Sequence, residues 1–316
     1  MKIKKCRICG GSHFESIINL GYQKLTGVFP AEGQEIDGGE LNLLKCAEVT
    51  GCGLVQLEES VELKKMYGEN YGYRSGLNSS MVDHLEDIVT YAISVNPLNS
   101  GDVVLDIGSN DGTLLRLYKK YCDVAIKRIG ADPTGTKFKE YYDSEAILIP
   151  DFFSAKAVMD ISEKKAKIIT SIAMFYDLEK PIEFAKQIYN TLDDDGVWIS
   201  EQSYFPLMVD TCSYDTICHE HLEYYSLKQM EWIAQKARLK IIDVDLNNIN
   251  GGSFRVTFCK QDAMFLVNES VDRVMQDEVA RKVNDISFTN RFVERIEMNK
   301  QKLLEFLNIE DRKSVV

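Results

Sequence analysis

The chain has 316 residues, more than one compact core of ordinary size usually holds, so two or three structural units are expected. Acidic residues outnumber basic ones by 49 to 37, which argues against nucleic acid as a partner, because affinity for a phosphate backbone comes from clustered Lys and Arg. The charged N-terminus has no apolar run behind it and no stretch approaches the roughly 18 apolar residues of a membrane span, so a cytoplasmic protein without membrane contact is expected.

Residues 1–65 are predicted to form a zinc-binding lobe. The runs Cys6-Arg7-Ile8-Cys9-Gly10 and Cys46-Ala47-Glu48-Val49-Thr50-Gly51-Cys52-Gly53 each place a glycine after the second thiol. Such pairs are typical of a zinc ribbon, in which the glycines free backbone amides to face the sulfurs. A predicted loop with Gly21, Gly27, Pro30 and Gly33 separates them. The predicted ligands of a structural Zn²⁺ are Cys6, Cys9, Cys46 and Cys52, and the alternative is unligated core cysteines.

Residues 66–97 form a predicted linker and helix. The part from Met66 to Gly76 interleaves tyrosines with glycines and has no helical period, whereas Met81 to Val89 repeats apolar residues on one helical face. A loop of this kind is either packed on itself at the surface or, because it joins two units, a contact for a substrate or cofactor.

Residues 98–260 are predicted to form a Rossmann-like domain. An apolar strand from Asp102 to Ile107 runs into a glycine turn and then a helix, and such a unit binds its ligand at the carboxyl end of the strand. The glycine spacing is not that of a dinucleotide fingerprint, and Asp106 and Asp111 would repel a pyrophosphate. S-adenosyl-L-methionine has a sulfonium and no phosphate, so it suits this acidic turn. The predicted contacts are Asp106, Gly108, Ser109, Asn110, Asp111 and Gly112.

A second acidic position supports the same cofactor. Asp132 follows the strand Ile129-Gly130-Ala131, about 20 residues after Gly112, where a carboxylate can accept both ribose hydroxyls. Asp132 and the adjacent Pro133 complete the predicted cofactor site. The alternative is a Rossmann variant that binds no such ligand.

The remaining pattern alternates strands and helices, which predicts a mostly parallel sheet covered on both faces. Strands are expected at 146–150, 166–172 and 196–201, and a hairpin within 240–258 is expected to close the sheet. Residues after these strands should face the cofactor cleft: Phe175, Tyr176, Asp177, Glu201 and Gln202. Residues 261–316 have a helical period and form a predicted C-terminal extension.

The segment from Tyr214 to Ser226 holds His219-Glu220-His221. Imidazoles titrate near neutral pH and a neighbouring carboxylate can fix their tautomer, so the cluster can move protons. It begins about 15 residues beyond the Glu201 strand and can therefore reach over the methyl donor. The alternatives are a solvated turn and histidines packed in a core.

With these motifs the chain resembles the zinc-containing sugar C-methyltransferases over nearly its whole length. The resemblance rests on the paired cysteines and on four further motifs: Tyr71-Gly72-Tyr73-Arg74-Ser75-Gly76 followed by His84, Ile107-Gly108-Ser109-Asn110-Asp111-Gly112, Asp215-Thr216-Ile217 with His219-Glu220-His221, and Gly251-Gly252-Ser253-Phe254-Arg255. It implies an α/β chain with a class I methyltransferase domain, an N-terminal zinc lobe and a C-terminal helical extension. It also implies methyl transfer from S-adenosylmethionine to the carbon beside the keto group of a nucleotide-linked 4-keto-deoxyhexose.

The family's catalytic Glu and His correspond to Glu220 and His221. We expect His221, held by Glu220, to remove a proton from carbon, with Tyr73 as a donor to the enolate oxygen and His219 as a further candidate. Two other functions stay open: O-methylation of a sugar or another small polar acceptor, and a zinc-ribbon interaction module with an inactive methyltransferase body.

The chain departs from the family pattern in two places. Cys218 stands where the sugar enzymes usually have a tyrosine, directly before the His-Glu-His run. Family members normally continue into a C-terminal Rossmann-like domain that helps to hold the nucleotide, so residues 261–316 are expected to be the start of a truncated domain.

Overall fold

The computed structural model describes residues 2–26, 32–33, 35–47, 51–62, 66 and 71–314, except for the side chains of residues 309–314. Its N-terminal lobe contains strands β1 (Phe14–Lys24), β2 (Gly38–Cys46) and β3 (Val55–Leu57). A short strand from later in the chain, β9 (Glu223–Tyr224), completes an antiparallel sheet with the order β1-β2-β3-β9.

The prediction of a loop between the cysteine pairs is wrong for the first part of that segment. Gly21 lies within β1, which pairs with β2 from Phe14 to Lys24. The register shifts between Asn19 and Tyr22, so a local irregularity accommodates the glycine inside the strand. Gly33 lies in a turn, and Gly27 and Pro30 are outside the described residues.

The central sheet has seven strands within the described ranges, in the order β10-β11-β8-β7-β4-β5-β6. Strands β4 to β8 pair in parallel, and β11 pairs antiparallel with both β8 and β10. The predicted mostly parallel sheet and the closing hairpin are therefore confirmed. The strand bounds are β4 Val103–Ile107, β5 Lys127–Ala131, β6 Ala146–Ile149, β7 Ala166–Ile172, β8 Leu192–Ser203, β10 Leu239–Asn247 and β11 Ser253–Lys260.

Helices cover both faces of this sheet. Apolar side chains of two separate clusters fill the two interfaces: one centres on Trp198, Phe175 and Phe258, and the other on Leu115, Ile168 and Ile199. The helices are α1 Ser79–Val95, α2 Thr113–Tyr121, α3 Ala155–Ile161, α4 Pro181–Thr191, α5 Phe205–Thr211, α6 Leu227–Lys236, α7 Glu269–Ala280 and α8 Ile286–Ser314. None of the helices in the described part of the chain is long and apolar enough to cross a membrane.

Strand β8 starts earlier than the sequence predicts. It begins at Leu192, directly after α4, and includes the acidic run 193–195 that was expected to lie outside it. Pairing with β7 jumps from Leu192 to Val197, so the acidic run bulges out of the parallel ladder towards solvent.

A third core joins the N-terminal lobe to the rest of the chain. Leu43, Val55 and Leu57 of the lobe pack with Phe205 of α5 and with buried side chains of α8 such as Phe292. The lobe therefore lies directly beside the segment between β8 and α6, which includes the His-Glu-His run.

Candidate active site

The four predicted zinc ligands meet at one point. The Sγ atoms of Cys6, Cys9, Cys46 and Cys52 all lie within 4.8 Å of one another. The shortest separations are 3.5 Å between Cys6 and Cys52 and 3.4 Å between Cys9 and Cys46. A tetrahedral ion with Zn–S bonds of about 2.3 Å has sulfurs about 3.8 Å apart, so the cluster fits zinc.

The surroundings of the thiols also fit a metal thiolate. Gly10 and Gly53 both have positive φ, and the amides that follow them, of Gly11 and Leu54, donate to the sulfurs of Cys9 and Cys52 at 3.5 and 3.4 Å. The prediction that the glycines turn amides towards the sulfurs is confirmed. Four cysteines leave no open position on the ion, so its role is structural.

The second site is a cavity of about 340 Å³ at the carboxyl ends of β4, β5, β7 and β8. Parallel strands place their ligand sites at this edge of the sheet. The lining includes nine of the predicted site residues: Tyr73, Asp106, Gly108, Ser109, Asn110, Asp132, Pro133, Glu220 and His221. Tyr176, Asp177, Glu201 and Gln202 also line it, as predicted, whereas Phe175 lies in the core.

Asp106 is a buried carboxylate that lines the cavity at the end of β4. Its Oδ1 accepts a hydrogen bond of 2.7 Å from Thr170 on β7, and only 4% of the residue is exposed. Burial raises the pKa of Asp106 to about 7, against the lowering effect of the Thr170 hydroxyl. The charge of this carboxylate therefore depends on pH near neutrality, and a cation in the cavity would favour the ionised form.

Asp132 lies at the end of β5 and organises the neighbouring turn. Its Oδ2 accepts from the Asn110 amide at 2.8 Å, and its Oδ1 accepts from the Thr134 amide at 2.6 Å. The Thr134 hydroxyl also donates to Oδ1, at 2.5 Å. Each carboxylate oxygen has two lone-pair sites, so Oδ1 has both in use and Oδ2 keeps capacity for one further donor such as a hydroxyl.

Two predicted cofactor residues do not line the cavity. Asp111 accepts from the backbone amides of Thr113 and Gly76, both at 3.1 Å, and so anchors the start of α2 and the preceding tyrosine-rich loop. Gly112 lies behind it as the left-handed residue before α2. Both residues shape the turn from outside the cavity.

The tyrosine-rich loop closes over the cofactor turn. The amide of Ser75 donates to the Asn110 side chain at 2.9 Å, and the Asn110 side chain donates to the carbonyl of Tyr73 at 3.1 Å. Tyr71, Tyr73 and Ser75 line the cavity, so this part of the loop is the cleft contact rather than a surface segment. The residues from Tyr67 to Asn70 are outside the described ranges.

The His-Glu-His run is divided between two environments. His221 lines the cavity, and its Nδ1 lies 2.9 Å from the carbonyl oxygen of Thr216. The ring of Tyr176 lies beside it, with the two ring centres 4.3 Å apart. His219 instead lies 2% exposed against the N-terminal lobe, with Nε2 3.2 Å from the Gly39 carbonyl of β2. His219 therefore does not line the cavity, and its position does not support the expected catalytic role.

Glu220 lines the cavity beside His221, and burial raises the pKa of its carboxyl. His221 Nδ1 donates its hydrogen bond to the Thr216 carbonyl, so the partner of this ring nitrogen is a backbone carbonyl rather than the Glu220 carboxylate. Cys218 is buried outside the cavity lining, and burial raises the pKa of its thiol to about 11.

The sequence did not reveal a further polar contact in the cavity. His84 of α1 contacts Glu201 through Nε2, and the other oxygen of Glu201 accepts from Asn247 at 3.0 Å. Both His84 and Glu201 line the cavity. On α1, His84 lies one turn before the buried Ile88, whereas Asp83 and Asp87 are exposed, so His84 is on the side of the helix that faces the cavity.

Sequence profiles of three families match the chain. A methyltransferase domain matches residues 77–244, more than half of the chain, a zinc binding domain matches residues 6–67, and a C-methyltransferase C-terminal domain matches residues 248–315. The chain belongs to the zinc-containing C-methyltransferase family. As a C-methyltransferase of this family it is an S-adenosylmethionine-dependent enzyme with a structural zinc site.

Individual proteins resemble this C-methyltransferase at 12% to 24% sequence identity. C-methyltransferase NovU of Streptomyces niveus is 24% identical over 317 residues, which is 99% of this chain and 74% of NovU. An S-adenosylmethionine-dependent methyltransferase from Clostridium acetobutylicum has a TM-score of 0.45 at 12% identity, over 57% of this chain and 92% of that one. A chain in the complex of the Haloferax volcanii activator Trm112 with a methyltransferase has a TM-score of 0.46 at 15% identity, over 58% of this chain and 93% of that one.

The cavity of this C-methyltransferase fits its cofactor electrostatically. Asp106 and Asp132 place two carboxylates at the carboxyl ends of β4 and β5, where a sulfonium and an amino group would be stabilised and a phosphate would be repelled. S-adenosylmethionine supplies an electrophilic methyl group when it is bound. The protein contributes the binding and the orientation.

Proposed function

We propose that this enzyme methylates the carbon beside the keto group of a nucleotide-linked deoxysugar, with His221 as the general base. The observation that carries the proposal is the hydrogen bond between His221 Nδ1 and the Thr216 carbonyl. A carbonyl oxygen can only accept, so Nδ1 carries the proton of the neutral ring and the lone pair is on Nε2. A neutral imidazole with a fixed tautomer in a cavity is suited to remove a proton from carbon.

The neighbouring groups can support each stage of that proton transfer. The Glu220 carboxylate lies beside the ring and stabilises the imidazolium that forms, since the opposite charges attract. Tyr73 lines the same cavity, and burial raises the pKa of its phenol, so it stays protonated as a hydrogen-bond donor for an enolate oxygen.

The proposed reaction balances without a further reagent. His221 takes the proton from the carbon beside the ketone, and the C–H electrons pass into an enolate. The enolate carbon then bonds to the methyl group as the sulfonium bond breaks, which leaves S-adenosylhomocysteine. The proton on His221 returns to solvent before the next turnover. The alignment of the two substrates accounts for much of the acceleration.

We further propose that the cofactor lies along Asp106, Gly108, Ser109, Asn110, Asp132 and Pro133. These residues follow β4 and β5, whereas His221 and Glu220 belong to the segment between α5 and β9, and both groups line the cavity. The methyl group would then face the base across the cavity. The carbon specificity of NovU, whose name describes a C-methyltransferase, supports this choice of acceptor atom over oxygen.

Solvent deuterium uptake tests the proposal. With S-adenosylhomocysteine bound, no methyl can transfer but the base can still work, so a 4-keto-deoxysugar nucleotide should gain deuterium beside its ketone. A panel of nucleotide sugars with labelled S-adenosylmethionine identifies the acceptor. Methyl transfer without any deuterium uptake would favour an oxygen acceptor, because only carbon methylation breaks a C–H bond.

A further inference from the structure

The segment that holds His221 is built into the sheet of the zinc-binding lobe. Strand β9, which begins two residues after His221, pairs with β3 through Gln56 opposite Glu223 and Val55 opposite Tyr224. The amide of Leu57 extends this pairing by donating to the Leu222 carbonyl at 2.9 Å. Strand β3 itself starts three residues after the zinc ligand Cys52. Backbone hydrogen bonds therefore connect the strand that follows the zinc ligand Cys52 to the segment that holds His221.

Arg7 makes a second connection from inside the first cysteine pair. Its side chain, 2% exposed, donates to the Leu57 carbonyl and to Ser60 Oγ, each at 2.8 Å. Its Nε lies 3.6 Å from Glu223 Oε1. Within the described residues, neither oxygen of the Glu223 carboxylate has a hydrogen bond, and the residue is 1% exposed. The guanidinium is thus the ion-pair partner of a carboxyl buried two residues from His221. Burial raises the pKa of Glu223 well above its ordinary value, and the neighbouring Arg7 opposes this rise.

We propose that Arg7 is a positioning residue that couples zinc binding to the placement of His221. The ion fixes the turn that carries Arg7, the Arg7–Glu223 pair and the β3–β9 pairing hold the segment 217–226, and that segment holds the imidazole in the cavity. The catalytic consequence rests on the proposed function of His221. The coupling itself is a property of the fold and is measurable without a substrate.

Amide hydrogen exchange of the wild-type enzyme, with zinc and after chelation, tests the coupling. The amides of His221 and Leu222 donate to the carbonyls of Cys218 and Tyr176 and are good reporters. Coupling free energies between sites usually correspond to about 5-fold to 150-fold, so exchange in residues 217–226 should become at least about fivefold faster without zinc. Strand β4, in the central sheet, should keep its protection. Faster exchange in β1 to β3 with unchanged exchange in 217–226 would overturn the proposal.

Two matched variants test the part played by Arg7. Glu223→Gln removes the buried carboxyl that pairs with Arg7, whereas Glu179→Gln removes an acidic partner of the same guanidinium, at 3.5 Å, whose side chain is 42% exposed. In the Glu223→Gln enzyme the effect of zinc on exchange in 217–226 should shrink, and in the Glu179→Gln enzyme it should match the wild type. An undiminished zinc effect in Glu223→Gln would remove Arg7 from the coupling.

The same proteins separate this inference from the proposed function. If the reaction is not C-methylation, deuterium uptake by the sugar fails in the wild type while the exchange results stand. If only the coupling is wrong, the wild type takes up deuterium, and zinc removal leaves both exchange in 217–226 and deuterium uptake unchanged. Affinity for S-adenosylhomocysteine should stay within about twofold in every variant, since none of these residues lines the cavity.

Discussion

Asp106 and Thr170 lie opposite each other on the adjacent strands β4 and β7, and the Thr170 hydroxyl donates to the Asp106 carboxylate at 2.7 Å. The pair sits at the edge of the cofactor cavity. Because Asp106 titrates near pH 7 in the folded protein, its charge connects cofactor binding to pH.

We predict that affinity for S-adenosylmethionine rises as the pH increases through about 7. Burial raises the pKa of Asp106, so the folded protein keeps a proton there below this pH and must release it to offer a negative charge to the cation. Calorimetric titration over a series of pH values measures the trend. Asp106→Asn should remove it, and Thr170→Val should move its midpoint upwards, because the hydroxyl that lowers the pKa is lost. If the affinity of Asp106→Asn changes with pH as steeply as that of the wild type, another group is responsible for the trend.

The same pKa has a consequence for the protein without cofactor. Between the ordinary value near 3.8 and about 7, the folded state binds a proton at Asp106 that the unfolded chain has released. This residue therefore lowers the free energy of unfolding as the pH rises through that window. The free energies of unfolding of the wild type and Asp106→Asn, measured with denaturant, should differ most at the upper end of this pH window. Bound cofactor should reduce the difference.

Asp132→Ala should weaken S-adenosylmethionine binding by about 1.5 to 3 kcal/mol, because a buried ribose would lose a charge-assisted acceptor. The turn also loses its hydrogen bonds to Asn110 and Thr134, so Asp132→Asn, which keeps the size, serves as the milder comparison. Asp123→Ala, at an exposed position, is the control for a lost negative charge. Equal affinity of the wild type and Asp132→Ala would place the ribose elsewhere.

The His-Glu-His run should respond in a graded way. His221→Asn should abolish turnover and deuterium uptake yet leave cofactor affinity nearly unchanged, since the amide cannot act as a base. Glu220→Gln should lose less, because Thr216 still orients the ring. His219→Asn should mainly lower thermal stability, because its ring packs against Gly39 outside the cavity. Persistent deuterium uptake in His221→Asn would take the base role from this residue.

Zinc should bind at one ion per chain. Replacing any one of the four cysteines by serine should destabilise the N-terminal lobe and leave the central sheet folded, because metal binding and folding of such a lobe are coupled. Elemental analysis of protein purified without added metal gives the stoichiometry, and circular dichroism follows the two regions during unfolding. Substoichiometric zinc after refolding in excess zinc would argue against the site.

Local patterns were sufficient to predict the parts of the fold that neighbouring residues determine. The apolar strand, glycine turn and helix around Gly108 mark a parallel sheet, and the acid after β5 marks its ligand edge, because both features lie within short stretches of sequence. The two cysteine pairs likewise predict that their four thiols lie close together, since a metal site needs all four.

Features that depend on distant parts of the chain were not predictable in this way. Strand β9 has only two residues and no period, and its existence depends on β3, more than 160 residues earlier. The partner of His221 is a backbone carbonyl, which has no residue type to recognise, whereas the sequence shows only the adjacent charged group, Glu220. Gly21 resembled a turn residue, and only the long pairing of β1 with β2 reveals it as part of a strand.

The β3–β9 pairing also determines what can be transplanted between enzymes. An N-terminal fragment ending before residue 66 would lose its fourth strand, and a methyltransferase domain cut out at residue 98 would keep His221 two residues before a strand that has lost its partner β3. Chimaeras that exchange acceptor specificity should therefore take residues 1–62 and residues 214–226 from the same parent enzyme, although about 150 residues of sequence separate the two segments.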